Sequence, residues 1–541
     1  MITLPQKIRS PKNSTDSASG QKILRDKAEY GDFQTPLALA RQTCLWLKAK
    51  GVVPDVLVEP TFGHGHFIIA ALEIFPTLKF VYGVEIHEPY YRETQKKLAE
   101  LQIPSKPNIH LYHDDVFRFS FSDVAKQHKN SSILVLGNPP WVTNSLLGSK
   151  NSDNVPQKSN FKNVRGIDAI TGKGNFDLGE SVTLAMLKAF ADSKGCLAFL
   201  VKNSVVKNIV HSQQKLKFCI AHLQYVSIDA KKEFNASVAA GLFFADFHQQ
   251  PEYECFMSSS FGSLEKSRFG WYSGKFVSNI EKYNQSNFFD GCSPVVWRQG
   301  IKHDCSSVME LTSLDGIYNN GLGETVDIEE SLVYPLLKSS DLKEPIISTT
   351  RKYVIVPQQS VGQKTGYIQE DFPKTAEYLH KHRDSFDRRK SSIYRDKPSF
   401  SIFGVGNYSF MPYKIAISGL YKQTRFSLVL PQGEKPVMLD DTCYFLGFDS
   451  LEEAVCVHYL LNHEKLQDLL NSLVFWDGKR VITKELLMRL DYAQLLSDMR
   501  EIQSFPLCSN YKNLVKERII EEQFKALRSK HIFQKQQLLF D

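Results

Sequence analysis

The sequence is poor in long apolar runs, and none reaches the length of about 18 residues that a membrane-spanning helix needs. Its first 21 residues are polar and rich in Ser and Lys, so they lack the apolar core of a secretory signal. We therefore predict a cytoplasmic protein with no membrane partner.

The sequence also lacks paired cysteines. Its nine cysteines are scattered, their number is odd, and no two form a Cys-x-x-Cys pair. These features argue against a disulfide framework and a zinc ribbon, and they fit a reducing compartment. His64 and His66 stand close together without further metal-ligand residues, so we predict no metal site. No internal repeat and no Asp…Glu-x-Lys cluster of an added nuclease domain stand out.

The chain has 541 residues, 42% of them hydrophobic and 23% charged, which is typical of a globular protein with two to four domains. Its formal net charge is +7, and residues 381–425 alone carry ten Lys or Arg against three Asp. We name this stretch the basic segment. Aromatic residues interleave with its charges, so we predict contacts with a phosphate backbone. The alternative is a solvated, salt-bridged face.

Short apolar runs alternate with helical patterns from about residue 52 to 247. The predicted strands are 55–59, 79–85, 109–112, 132–136, 196–201, 223–228 and 238–247. The predicted helices are 66–75, 89–101 and 179–191, and a Ser/Asn-rich loop is predicted over 142–174. This alternation predicts an α/β fold with a doubly wound, parallel Rossmann-like sheet, in which ligands bind beyond the carboxyl ends of the strands.

The alternation stops after about residue 290. Segments 354–356, 400–403, 415–417 and 426–430 are predicted as strands, and 451–505 as mainly helical. The second half of the chain is therefore predicted as a mixed α+β domain.

The strongest chemical motif is Asn138-Pro139-Pro140-Trp141, which follows a predicted buried strand. Two prolines restrict the backbone and so hold the Asn138 side chain and the Pro139 carbonyl in fixed directions. These two oxygens can accept both hydrogens of a substrate amino group, and Trp141 offers a flat face for a stacked base. The alternative is a purely structural turn.

The second motif is the segment Glu59–Phe67, named here the glycine loop, which joins the first predicted strand to the first predicted helix. Gly63 and Gly65 let the backbone approach a ligand closely, and the helix start provides free amides. Glu59 can receive a cationic amino group. Glu85 ends the next strand, where an acid can bind a ribose diol or, alternatively, cap the following helix.

Asp114 and Asp115 end the third predicted strand. A carboxylate or backbone group at this place can hold an adenine amino group, while Val116 and Phe117 contact the ring. The alternative is a helix or turn cap.

In combination and in order, these motifs resemble those of the S-adenosylmethionine-dependent adenine DNA methyltransferases of type II restriction–modification systems, the gamma-like or TaqI-like group. Residues 31–36 resemble the N-terminal cofactor motif of the family, and Asn138–Trp141 its catalytic tetrapeptide, although Tyr or Phe is commoner than Trp at the last position. Residues 175–178 resemble the motif before the fourth helix, and Phe234 the aromatic residue beyond the target base. The resemblance spans roughly residues 33–247.

The resemblance implies a class I methyltransferase sheet, the cofactor S-adenosylmethionine and roles for particular residues. Catalytic roles fall on Asn138, Pro139, Pro140, Trp141 and Phe234, with Trp141 and Phe234 on either side of the target base. Cofactor-binding roles fall on Phe33, Thr35, Glu59, Pro60, Gly63, Gly65, Glu85, Ile86, Asp115, Val116 and Asn138. His64 stands where a small residue is commoner.

The second half of the chain resembles, more loosely, the target-recognition domain of the same group. The implied organisation is a flexible arm at 1–30, a catalytic domain at 31–288 and a recognition domain at 289–541. We assign DNA contacts to Arg388, Arg389, Lys390, Arg395, Lys414 and Lys422. The implied partner is double-stranded DNA, bound by a monomer in a bacterial or archaeal cytoplasm at the nucleoid, with a separate cognate restriction endonuclease left open.

The implied reaction is methylation of the N6 amino group of an adenine flipped out of the duplex, because the first tetrapeptide residue and the motif order favour adenine over cytosine in this family. The alternatives are an RNA or protein-glutamine N-methyltransferase, a non-catalytic DNA-binding specificity protein, and the modification subunit of a larger complex. The large second domain disfavours the first, and intact cofactor motifs disfavour the second.

Overall fold

The structure is a computed structural model of the chain. It describes residues 33–102, 107–142, 177–263, 266–420, 423–476, 478–498, 511, 514–516, 518–519 and 521–529. The predicted arm at 1–30 and the predicted loop beyond residue 142 lie outside these residues. The chain divides into two compact units, with the boundary between Phe276 and Val277. The domain ranges given above stay predictions.

A ten-stranded sheet organises the described part of the first unit. Its strands are β1 (Val56–Glu59), β2 (Phe80–Glu85), β3 (Asn108–His113), β4 (Ile133–Gly137), β5 (Gly195–Lys202), β6 (Ile220–Ile228), β7 (Ala240–Phe247), β8 (Glu254–Ser258), β9 (Lys266–Tyr272) and β10 (Lys275–Val277). Its helices are α1 (Leu37–Ala49), α2 (His66–Ile74), α3 (Glu88–Glu100), α4 (Phe121–Gln127), α5 (Leu178–Phe190), α6 (Asn203–Leu216) and α7 (Ala230–Phe234).

Along this sheet the strand order is β10-β9-β8-β6-β7-β5-β4-β1-β2-β3. Strands β3, β2, β1, β4 and β5 run parallel, and β7 runs antiparallel between β5 and β6. The chain leads outward from β1 to β2 and β3 and then continues on the other side with β4 and β5. The order therefore reverses between β1 and β4, which opens a ligand crevice beyond their carboxyl ends. The predicted doubly wound, Rossmann-like sheet is confirmed.

The apolar pattern of the sequence accounts for these elements. Strands β1 and β4 are buried along their whole length, as expected for parallel strands inside an α/β fold. The predicted strands and helices agree with the observed ones to within about three residues. Helix α6 was missed, although its buried residues Val205, Val206, Ile209, Val210 and Gln213 follow helical spacing.

The second unit is a mixed α+β structure, as predicted. Its strands are β11 (Arg298–Gln299), β12 (Glu310–Leu314), β13 (Ile317–Asn320), β14 (Thr325–Val326), β15 (Val333–Leu337), β16 (Ile346–Ile347), β17 (Lys352–Ile355), β18 (Tyr413–Ser418), β19 (Ser427–Val429), β20 (Met438–Leu439) and β21 (Cys443–Phe448). They form one sheet in the order β11-β21-β18-β19-β16 and another in the order β14-β13-β12-β17-β15-β20.

Helices surround these two sheets. They are α8 (Ile280–Ser286), α9 (Ser306–Met309), α10 (Tyr367–Asp371), α11 (Pro373–Lys381), α12 (Arg383–Asp387), α13 (Asn407–Phe410), α14 (Leu451–Leu461), α15 (Glu464–Leu473), α16 (Lys484–Leu487) and α17 (Tyr492–Asp498). Throughout the residues that the structure describes, no helix has the length and apolarity to cross a membrane.

The predicted strand at 400–403 is wrong. Phe400 has a φ of 61°, a left-handed backbone conformation that a strand does not allow. The segment makes only an isolated bridge between Phe403 and Lys302.

Candidate functional site

The two strongest motifs meet at the switch point between β1 and β4. Val58 of β1 is paired with Val135 of β4, so the two strands end side by side. A Cβ atom added to Gly137 would lie 3.6 Å from Cγ of Glu59 and 3.7 Å from Cδ of the buried Pro60. The glycine loop and the turn Asn138–Trp141, named here the NPPW turn, therefore border one crevice.

The glycine loop needs both of its glycines. Gly63 and Gly65 have φ values of +50° and +69°, which residues with a side chain rarely adopt. A Cβ atom at Gly63 would collide with the Gln34 side-chain amide, and one at Gly65 with the Thr94 side chain. Thr94 also donates from Oγ1 to the Gly63 carbonyl at 2.9 Å, a contact that nothing in the sequence indicated.

Glu59 places a carboxylate at the bottom of this crevice. Its side chain is buried, and within the described part of the chain its Oε2 atom has no hydrogen-bond partner. Burial raises the pKa of the Glu59 carboxyl well above its usual range, and the nearby charge of Glu85 adds to this effect. A ligand cation would relieve that cost.

Glu85 is hydrogen-bonded to the glycine loop. Its Oε2 accepts a hydrogen bond from the Gly63 N–H at 2.8 Å, and its Oε1 accepts one from the His87 N–H at 2.7 Å. Ile86, the next residue, is 48% exposed and offers an apolar surface beside it.

Asp115 caps a turn of the chain that follows it. Its Oδ1 accepts from the Phe117 N–H at 2.9 Å, and its backbone carbonyl accepts from the Arg118 N–H. Asp115 and Val116 are both half-buried. The turn-cap alternative is therefore present in the structure, and the cofactor role of the two residues stays a prediction.

The segment Phe33–Thr35 connects the NPPW turn to the start of α2. The Asn138 Nδ2 donates to the Phe33 carbonyl at 2.7 Å, and the Thr35 carbonyl lies 2.7 Å from Nδ1 of His66. The Phe33 contact fixes which way the Asn138 amide points. The Asn138 Oδ1 atom is buried and has no hydrogen-bond partner among the described residues, so it is an oriented, unused acceptor.

Three aromatic rings, one of them from the NPPW turn, pack together. Phe33, Trp141 and Phe234 form what we name the aromatic cluster. The ring centroids of Trp141 and Phe234 are 5.0 Å apart at 67°, and Phe33 lies 5.3 Å from Trp141. The Trp141 Nε1 donates to the Leu200 carbonyl at 3.2 Å.

The prediction that Trp141 and Phe234 lie on either side of the target base stays a prediction, since the two rings contact each other in the structure. A base between two stacked rings needs a separation of about 7 Å, twice a van der Waals contact. The two rings do share one site, but they pack edge to face because neighbouring apolar rings bury each other when they can.

The prediction that Lys414 contacts DNA is wrong. It lies on the central strand β18, is 1% exposed and donates to the Met411 carbonyl. Burial lowers the pKa of the Lys414 ammonium to about 7. A buried ammonium cannot contact a phosphate at the surface.

The DNA contact assigned to Arg389 stays a prediction, although the structure gives its side chain partners within the second unit. Its guanidinium donates to the backbone carbonyls of Phe386, Ser401 and His303 and stacks 3.7 Å above the Tyr394 ring centroid. These contacts hold the Arg389 guanidinium against the backbone and one aromatic ring of its own unit. Arg388, Lys390 and Arg395 are exposed, and Lys422 lies outside the described residues.

The chain is 41% identical over 471 residues to the type II methyltransferase M.NspV of Nostoc sp., and the match covers 87% of this chain and 97% of that protein. No protein-family model matches the chain.

Two solved structures match the chain at low sequence identity. The type IIL restriction-modification enzyme MmeI in complex with DNA has a TM-score of 0.49 and 11% identity, covering 95% of this chain and 74% of that one. The type IIG restriction endonuclease BpuSI has a TM-score of 0.37 and 13% identity, covering 92% and 65%.

The similarity to M.NspV spans nearly the whole of both chains, and the motifs that led to the family meet in one crevice of the expected sheet. It confirms the resemblance at the level of the family, together with S-adenosylmethionine as cofactor. The chain belongs to the type II methyltransferases of restriction–modification systems.

Proposed function

We propose that this enzyme methylates the N6 amino group of an adenine flipped out of double-stranded DNA. The observation that carries the proposal is the Asn138 amide, whose Nδ2 is held by Phe33 and whose buried Oδ1 is unused within the described chain. An oriented acceptor of this kind suits an amino hydrogen. The preference for adenine over cytosine follows from the family motif, in which Asn stands at this position.

The crevice fits S-adenosylmethionine. Glu59 would hold its ammonium group, whose charge compensates the desolvated carboxylate, and Gly63 and Gly65 supply the positive-φ backbone that shapes the loop beside it. Glu85 and Asp115 would contact its ribose and adenine. When bound, this cofactor supplies a methyl group that its sulfonium has already activated.

The NPPW turn would orient the amino group. Asn138 Oδ1 and the Pro139 carbonyl would accept its two hydrogens, which favours a pyramidal nitrogen with a directed lone pair. The Asn138 amide cannot reverse without breaking the bond from Nδ2 to the Phe33 carbonyl. A preset orientation of this kind removes an entropic part of the activation barrier.

The aromatic cluster would admit the base by separating. The Trp141 and Phe234 centroids would move from 5.0 Å apart to about 7 Å. Flipping costs a few kcal/mol, and stacking on aromatic side chains, worth about 1–3 kcal/mol per contact, can offset it. Closely packed rings around the reacting nitrogen would also exclude water.

The exposed part of the basic segment would hold the duplex. Arg388, Lys390 and Arg395 reach solvent and can contact phosphates, which position DNA without reading its sequence.

The test is the identity of the product. The enzyme is incubated with tritiated S-adenosylmethionine and genomic DNA, and the nucleosides are analysed by liquid chromatography and mass spectrometry. We expect N6-methyldeoxyadenosine. Parallel reactions contain total RNA or a glutamine-bearing peptide. Label in N4-methyldeoxycytidine, in RNA or in the peptide instead would overturn the proposal.

A further inference from the structure

A buried ion pair joins two elements that flank the NPPW turn. Asp177 precedes α5, and Lys202 is the last residue of β5. The Lys202 Nζ forms an ion pair with the Asp177 carboxylate, and the two side chains are only 15% and 10% exposed. Neither the glycine loop nor the aromatic cluster contains these residues.

The same two elements anchor the turn. On the α5 side, the Leu178 N–H donates to the Val142 carbonyl at 2.9 Å, and a Cβ atom added to Gly179 would lie 3.3 Å from the Pro140 carbonyl oxygen. On the β5 side, the Trp141 indole donates to the Leu200 carbonyl. The turn thus has one anchor on each element, and the ion pair connects those elements.

The energetics favour a geometric role for the pair. Burial raises the pKa of the Asp177 carboxyl even though Lys202 opposes that shift. Both charges are desolvated, which offsets much of their attraction, and a buried ion pair is therefore weak evidence for folding stability. Its main physical effect is to hold the start of α5 against the end of β5.

We propose that Asp177 and Lys202 are positioning residues, whose ion pair fixes the NPPW turn in the orientation that catalysis requires. The proposal rests on the proposed function, since it concerns the same turn. Removal of the pair lets α5 shift relative to β5 and turns Asn138 and Trp141 away from the reacting nitrogen. Displacements of about 1 Å from such remote changes can cost about 100-fold in rate.

Asp177 also caps α5, because its Oδ1 accepts from the Gly179 N–H at 3.0 Å. Asp177→Asn separates the two roles, since Asn is an equally good helix cap and carries no charge. Lys202→Met removes the other charge at similar length, and Lys202→Arg keeps it.

A control ion pair lies at the amino ends of the strands. Asp55, just before β1, accepts a backbone hydrogen bond from the Ser132 N–H and pairs with one lysine, Lys79, at 2.8 Å. Asp55→Asn therefore neutralises a paired carboxylate, more exposed than Asp177, far from the carboxyl ends of the strands.

The experiment measures single-turnover methylation and the binding of DNA and S-adenosylmethionine for the full chain. We expect Asp177→Asn and Lys202→Met each to lower the rate by roughly 10- to 100-fold while both dissociation constants stay within about threefold. The double variant should lose no more than either single one, because it leaves no uncompensated charge. Lys202→Arg should recover most of the rate, and Asp55→Asn should keep it.

A readout independent of activity is the ¹⁹F resonance of Trp141 in protein labelled with 5-fluorotryptophan, assigned with Trp141→Phe. We expect it to shift or broaden in Asp177→Asn and Lys202→Met but not in Asp55→Asn. Wild-type rates and an unchanged resonance in both single variants would overturn the positioning role. A wild-type enzyme that methylates no DNA would contradict the proposed function, whereas the resonance would still report on the ion pair.

Discussion

The two units differ in how the fold places their charged and polar residues, because the first brings distant residues together and the second separates residues that are close in sequence. In the first unit, Glu59, Glu85 and Asn138 are far apart in sequence, yet each ends or directly follows a parallel strand, and the carboxyl ends of parallel strands lie at one edge of the sheet. In the second unit, neighbouring cations of the basic segment are separated by the fold. Lys414 is buried and Arg389 binds carbonyls, while Arg388 and Lys390 are exposed.

The difference shows which sequence features carry positional information. A residue just after a buried parallel strand has its place set by topology, so its neighbours in space can be predicted. A run of like charge has no such constraint, and each side chain is placed by its own strand, helix or loop. Five predictions test this contrast, in order of decreasing expected effect first on catalysis and then on stability and DNA binding.

Asn138→Ala should lower the rate of methyl transfer by about 100- to 1,000-fold, as for the loss of one oriented hydrogen-bonding group in an active site. DNA and cofactor binding should remain close to wild type, because the contact proposed for Asn138 is with the reacting amino group alone. Single-turnover methylation and equilibrium binding measure both quantities. A variant within threefold of the wild-type rate would show that the position of Asn138 after a buried parallel strand does not make it a site residue.

Trp141→Ala should lower turnover by roughly 10-fold, the equivalent of one base-stacking contact. The loss should be smaller on DNA with a mispaired target base, because less unstacking energy is then required. Trp141→Phe is the control and should stay near wild type. Equal losses on paired and mispaired substrates would argue against a role in flipping.

Arg389→Ala should lower the free energy of unfolding of the second unit by about 2–3 kcal/mol, since it leaves buried carbonyls without their charged donor. Arg388→Ala, one residue away and exposed, should change it by less than about 0.5 kcal/mol. Urea unfolding followed by circular dichroism measures both variants. Equal changes in the free energy of unfolding would mean that Arg388 and Arg389 contribute alike to the stability of the unit.

Lys414→Met should raise stability by about 1–2 kcal/mol at pH 6, because a buried ammonium is costly even with one carbonyl partner. The folded-state pKa of about 7 lies below the unfolded value, so the unfolded chain binds more protons between pH 7 and 10. Wild-type stability should therefore rise with pH across that window. The gain from Lys414→Met should be largest at pH 6 and small at pH 10, and thermal unfolding at both values checks this.

Lys390→Ala should have the smallest effect, a uniform weakening of DNA binding. One lost phosphate contact reduces the slope of log Kd against log salt by about 0.9 and leaves stability within about 0.5 kcal/mol. Binding titrations at several salt concentrations measure the slope. An unchanged slope would remove Lys390 from the DNA-binding surface.

Part of the fold could be read from local pattern and part could not. Strands β1, β4 and β5 were predictable because each is a largely continuous apolar run in an alternation of strands and helices. In contrast, the apolar run at 400–403 satisfies the same local rule, yet Phe400 takes a left-handed φ and no strand forms. Lys414 shows the same limit, since its apolar neighbours indicated a strand, but only its central place between β19 and β21 buries the ammonium.

By itself, the sequence determined the order of the motifs, the parallel sheet that brings their ends together and the family to which the chain belongs. Only the tertiary structure decided that the Asn138 amide is turned by the Phe33 carbonyl, that the aromatic rings close on one another, and that Asp177 meets Lys202. The physical reason is that strand and helix periodicity is local along the chain. Hydrogen-bond partners, ring contacts and desolvation depend on groups that only folding brings together.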